Sequence, residues 1–481
     1  MGGLSSSYIS STLAAEGTTQ ATKNLILQFL NTASSAAAIS GIEPQEGPVV
    51  DKPTSGFGDQ IRDYDIGIDV AQRIINKRNS LGGFTDLTQL QGISHFGADK
   101  LNDLLYSFSK IVYEISAINF NYHNGSITND ALNIRKNYST AAPSPSWRKG
   151  ISFTYTDSPA AYAIKETQGN TLGIRVSLKA NGISAVFVRA LGGGRLGSVK
   201  ESFVSFDSNG ESGYETFQLE NPVFHTHGAN VYNIAWRWQW RLQPTDPWRD
   251  IVITRHRIFV ILQAPTLPWV QTLGSTSLPW TDALEIACTW ASGATDKDTA
   301  ATRITERYNA CGRVSYDTVM GATFYGWGSY NLTQMIDRLN GGAGLGGKVN
   351  CTDSANTVST LANLIGCNLW QSRMGWNFDL NPIIAIGYNT WAIPFFGGFS
   401  YHEVAWKGVC TQNDSVFDGC LKVDGDADPT TVPHTPLLPT NMLFGDCTTM
   451  NYRLRLCPPT PSGCARCQPQ PGTTRQRRPI I

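Results

Sequence analysis

Between Trp147 and Leu267 apolar and polar residues alternate in short runs: KGISFTYT, TLGIRVSLKA, ISAVFVRAL, VYNIAWRWQWRL and DIVITRHRIFVIL. Gly, Asn, Asp and Pro turns separate them. Period-two alternation at this spacing predicts an antiparallel β-sandwich over 147–267. Trp236, Trp238 and Trp240 fall on one face of one strand. Three tryptophans in a row there predict a sheet core, in preference to a stacking platform for bases or sugars. Elsewhere the period is helical. Leu25, Ile26, Phe29 and Leu30 give one face to a helix at Gln20–Ser35, within a Ser-, Ala-, Gly- and Thr-rich lead (1–55) otherwise expected to be flexible. ALEIACTWA and AATRITERYN predict two helices opening the C-terminal part. Ala355, Val358, Leu361, Leu364 and Ile365 predict a third, starting at Cys351 and stopping at Gly366. Beyond it alternation returns in FSYHEVAW and again in SVFDGCLKV, which read as two strands.

At 481 residues the chain is long enough for two to four domains. Lys plus Arg and Asp plus Glu both number 38, so no global field draws it to nucleic acid or membrane. No run approaches the ~18 apolar residues of a membrane span, and the first twenty residues lack a basic and apolar signal-peptide pattern. Ten cysteines in this length do not define a disulfide scaffold, and a reactive thiol suits a reducing compartment, so a cytoplasmic location is expected, with signal-less secretion open.

The chemistry-bearing residues are Cys351, His402 and Asp418. A helix N-terminus favours a thiolate, the form that attacks a carbonyl. If the two strands form a hairpin centred on Cys410, His402 and Asp418 stand opposite each other, about 5 Å apart at Cβ, where a carboxylate can hold an imidazole. Cys367 is a rival nucleophile but lies past the helix end; Asp424, Asp426 and Asp428 are rivals for Asp418 but read as a solvated turn. With NCTDSANT, YHEVAW and VFDGC the stretch 268–456 resembles the transglutaminase-like branch of the papain-like cysteine enzymes. The resemblance implies an α+β domain with Cys351, His402 and Asp418 as a catalytic triad. It also implies acyl transfer on a protein or peptide amide through a thioester, as peptidase, deamidase or transamidase. The sequence departs from the family pattern in lacking an aromatic residue after the cysteine and in having Gly419 after the aspartate. A non-catalytic scaffold with a degenerate domain is the alternative.

A second resemblance lies upstream. DYDIGIDVAQRIINKRN, the GGF turn at Gly82–Phe84 and DLTQLQGI resemble the tandem helix-hairpin-helix module of bacterial DNA-uptake competence proteins, placed at 56–115 and followed by a linker at 116–146. The resemblance implies DNA or protein binding. Six basic side chains (Arg62, Arg73, Lys77, Arg78, Lys100, Lys110) meet six acidic ones (Asp63, Asp65, Asp69, Asp86, Asp99, Asp103) between Ile61 and Val112. Duplex binding draws its affinity from neutralised phosphates, so this balance favours a protein adaptor.

His225 and His227 share a strand face without a third ligand of suitable spacing and are read as structural. Cys447, Cys457, Cys464 and Cys467 contain one CxxC pair, a weak zinc signal. No cofactor or metal is expected. The tail from Asn451 carries six arginines and no acid in a Pro- and Gln-rich run, and 457–481 is expected to be disordered. The expected fold class is multidomain α+β: a small helix-hairpin-helix module, an immunoglobulin-like antiparallel sandwich and a transglutaminase/papain-like C-terminal domain.

Overall fold

The computed structural model describes residues 3–40, 66–122 and 127–481. It is a mixed α+β protein with two hydrophobic cores. The first core joins the N-terminal helices to a β-sandwich. Helices span Ser6–Ala15, Gln20–Thr32 and Ala36–Ser40, so the expected flexible lead is helical through residue 40, while 41–55 lies outside the described residues. The physical reason is capping plus composition: Ser5 and Thr19 accept hydrogen bonds from Tyr8 and Thr22, and alanine is the best helix former.

Residues 56–65, the start of the expected hairpin module, also lie outside the described residues. From Gly67, with φ of 80°, a helix runs over Ile68–Leu81 and ends at Gly82 in the left-handed region. A short 3-10 turn at Leu87–Leu90, capped by Asp86 and Gln89, leads to a helix at Ala98–Val112. Phe108 packs on Phe29 and on Trp240, so these helices and the sandwich share one interior.

The sandwich has a four-stranded sheet in the order Trp147–Arg148, Tyr113–Asn119, Gly173–Ala180, Glu211–Gln218. Its partner is a five-stranded sheet in the order Pro159–Ala163, Arg249–Ile261, Asn230–Arg241, Ala185–Gly192, Val199–Ser205. Two expectations change here. The strand at Tyr113–Asn119 brings the first sheet upstream of 147, and Asp130, Asn133 and Arg135 of the expected linker are buried. The sandwich is also not wholly antiparallel, since Pro159–Ala163 runs parallel to Arg249–Ile261. Sheet order depends on contacts far apart in sequence, which alternation does not encode. Trp236, Trp238 and Trp240 are all within 1% of full burial, in the core as expected. His225 and His227 sit on a 3-10 turn at Phe224–Thr226 and after it, not on a strand face.

The second core is built around the helix Cys351–Leu364. A four-stranded antiparallel sheet packs on it, in the order Trp370–Met374, His402–Trp406, Ser415–Phe417, Met442–Leu443. Helices Thr281–Trp290 and Lys297–Asn309 pack on its other side. All fourteen residues of the Cys351 helix are buried, not only its apolar stripe. Most of its polar side chains are satisfied internally, the Thr360 hydroxyl excepted: Thr357 and Ser359 donate to carbonyls four residues back, and Tyr330 and Tyr308 meet Thr357 and Ser354.

The expected disordered tail is ordered and inserted. Arg478 and Ile480 are each 3% exposed, Tyr330 bridges to Ile480, and Gln371 to Gln476. Arg475 and Arg477 stack on the Trp370 ring at 3.5 and 3.8 Å. Among the described residues no helix is long and apolar enough to cross a membrane.

Candidate functional site

Asn350 caps the Cys351 helix: its side chain accepts from the Asp353 N–H at 3.1 Å, and the Asp353 carboxylate accepts from the Asn350 N–H at 3.2 Å. This reciprocal box fixes the first turn and leaves the N–H groups of Cys351 and Thr352 without intrahelical acceptors. Asp353 also accepts from the amides of Phe324, Tyr325 and Gly326, tying a neighbouring loop to the helix start. Burial pushes the Asp353 carboxyl up, and these amides pull it back.

Cys351, 3% exposed, lines a cleft of about 570 Å³. Its walls carry Tyr316, Phe378, Phe395, Phe399 and Tyr401, with Asp379 and Arg466 among the polar groups. His402 is wholly buried at the start of its strand, its ring stacked on Phe399 with centroids 5.2 Å apart. His402 Nε2 and Asp418 Oδ2 are 3.0 Å apart. Asp418 is held in turn by the Tyr452 hydroxyl at 2.8 Å and by the amides of Cys420 and Leu421. The Cys351 thiol lies beside the His402 ring, while Nδ1 has no well-formed hydrogen bond among the described residues. Burial pulls the imidazole pKa down, but the Asp418 charge and hydrogen bond, with the Cys351 thiol, push it up to about 10.

The register that brings His402 to Asp418 differs from the expected one. Ala405 pairs with Phe417 and Trp406 with Val416, so the hairpin is centred at Thr411, not Cys410. The ladder ends at Phe417 and Asp418 lies diagonally across from His402, on the same face. Gly419, where the resembled family has proline, has a packing reason: a Cβ there would come within 2.8 Å of Tyr308 and 2.9 Å of Val358 on the Cys351 helix. Cys367 is buried and donates to the Lys297 carbonyl, and burial pushes its thiol up to about 12. Asp424 pairs with His434 at 2.6 Å, away from His402.

Glu403, Arg478 and Tyr452 bear on the site and escaped the sequence reading. Glu403, next to His402, is 1% exposed and receives Arg478 Nη1 on Oε1 at 2.6 Å and Nη2 on Oε2 at 3.2 Å. Thr352, next to Cys351, donates to the same carboxylate at 2.8 Å, and Arg373 Nε reaches it at 3.4 Å. The helix bearing Cys351 and the strand bearing His402 are thus joined through one buried carboxylate that a tail arginine neutralises. Tyr452 is the third. Their only sequence signals are a lone Glu in an apolar strand and an arginine in a tail that reads as solvated.

Among the described residues no group of three or more His, Cys, Asp or Glu side chains is arranged to hold a metal, so the zinc reading of Cys447, Cys457, Cys464 and Cys467 is not carried further. Cys447 and Cys464 are disulfide-bonded instead.

No protein-family model matches the chain, and no curated protein matches it. Among solved structures, the crystal structure of red sea bream transglutaminase is similar at 10% identity and a TM-score of 0.34. The match covers 68% of this chain and 55% of that one, so the chain spans about half the length of that structure.

Proposed function

We propose that the protein is a cysteine-dependent acyl-transfer enzyme acting on a protein or peptide amide. The observation that carries this reading is the convergence of Cys351, at a helix start and open to a cleft, with a buried His402 that Asp418 keeps protonated. In the proposed cycle Cys351 attacks the amide carbonyl as a thiolate, its proton already resting on His402, and a C–S bond forms. The N–H groups of Cys351 and Thr352 stabilise the oxyanion, and His402 donates its proton to the departing amine as the C–N bond breaks. Water or an amine then attacks the thioester and gives up its proton to His402; the C–S bond breaks and the Cys351 thiolate is restored. Asp418 and Phe399 hold the ring in place throughout. Exposed apolar residues near the cleft, Met320 at 79% and Trp376 at 69%, suit a polypeptide substrate.

A thiol-directed activity probe tests the reading. Stoichiometric labelling at Cys351 that disappears in His402→Ala is the expected result. Labelling of Cys351 at the rate of a free thiol, unaffected by His402→Ala, would leave the scaffold alternative standing.

For the helical region the adaptor reading is proposed over DNA binding. Arg78, one of its few cations, is spent internally on the carbonyls of Leu30 and Ala33, and Lys100 pairs with Asp103.

A further inference from the structure

Outside the proposed site, the densest unexplained chemistry is the cysteine cluster of the C-terminal segment. Cys447 and Cys464 are bonded to each other. Cys457 and Cys467 are both fully buried free thiols that lie next to one another. The chain between them doubles back: Cys464 N–H donates to the Pro458 carbonyl at 2.8 Å, and Cys467 N–H to the carbonyls of Gly463 and Cys464. Burial pushes the Cys457 thiol up, and contact with Cys467 pushes it further. The Arg453 charge pulls the Cys457 thiol back down only in part, so two thiols in a dry pocket make a poor nucleophile and, with no group of three ligands among the described residues, a poor metal site. They are well placed for a bond to each other.

We propose that Cys457 and Cys467 form a second disulfide, interlaced with Cys447–Cys464, that clamps the segment supporting the cleft. Formation removes two protons and two electrons from the thiols. A disulfide-bearing oxidant takes up the electrons by exchange and leaves as a dithiol. Tyr452, which donates to Asp418, lies five residues before Cys457, and Arg466, which lines the cleft, lies between Cys464 and Cys467. The Arg453 guanidinium donates to the Cys464 carbonyl from within the same segment. Oxidation at both pairs would hold these side chains from two points in place of one. It would also assign the mature protein to an oxidising compartment, against the cytoplasmic expectation. The bond pattern stands apart from the proposed catalysis and holds or fails without it.

The full chain is equilibrated with oxidised glutathione, denatured, alkylated without reduction and mapped by mass spectrometry. Of ten cysteines, four in two disulfides leave six to be alkylated, and a linked peptide should contain Cys457 and Cys467. Alkylation of both Cys457 and Cys467 would overturn the proposal, as would either one linked to any other cysteine or to glutathione. Reduction before alkylation should then release the linked peptide and raise the count to ten.

Discussion

Removing the Arg478 side chain tests how the second core is held. Glu403 and Arg478 have side-chain exposures of 0% and 3%, and Arg478 makes two hydrogen bonds to the carboxylate. Taking away one partner of a buried ion pair leaves an uncompensated charge, at a cost of roughly 3–5 kcal/mol. Here Glu403 keeps the Thr352 hydroxyl and Arg373, and the Arg373 side chain is 33% exposed and bonded at a long 3.4 Å. The cost for Arg478→Met therefore falls at the lower end, about 3 kcal/mol. Glu403→Met with Arg478→Met removes both charges and should be less destabilising than Arg478→Met alone, since an apolar pair of similar volume avoids the desolvation cost. Urea unfolding followed by tryptophan fluorescence measures all four corners of the double-mutant cycle, with Trp406 and Trp370 reporting from the affected sheet. A loss under about 1 kcal/mol for Arg478→Met, or simple additivity of the two single changes, would refute the argument that a charge pair holds this site together.

Cys351→Ser should keep the fold and abolish amide turnover, because a hydroxyl is far less ionised than a thiol; undiminished turnover would remove Cys351 from the reaction. His402 has a folded pKa of about 10, above the ~6.5 of an unfolded histidine. Its contribution to stability should be fully present below pH ~6.5 and lost as the pH rises through about 10, so the stability gap between wild type and His402→Asn should shrink over that range. Tyr452→Phe should slow Cys351 labelling less than Asp418→Ala does, since Asp418 keeps its two amide donors; equal effects would contradict this order. The full chain should bind duplex DNA weakly at physiological salt, and tight binding with a steep salt slope would overturn the adaptor reading.

Features set by neighbouring residues were legible in the sequence. The start of the Cys351 helix followed from apolar spacing, the strand of His402 from alternation, and the tryptophan core from three large residues on one face. The hairpin register missed by one position at its centre because register is set by the turn and by packing across the ladder, which alternation alone does not encode. What stayed hidden depends on partners distant in the chain. Nothing around Arg478 signals burial, since its Pro- and Gln-rich surroundings read as solvent-exposed and its acid lies 75 residues upstream. The Ser- and Ala-rich lead misled for a different reason, because weak amphipathicity hides helices that tertiary packing stabilises.

That 75-residue separation has a consequence during synthesis. A ribosome adding 5–20 residues per second takes about 4–15 s to get from Glu403 to Arg478. Once Asp418 has followed, Cys351, His402 and Asp418 have all been made, but the buried carboxylate between helix and strand has only Thr352 and the long contact to Arg373 to hold it. A nascent chain in that window would hold its second core more weakly than the finished chain does, by about the 3 kcal/mol that the Arg478 pair contributes.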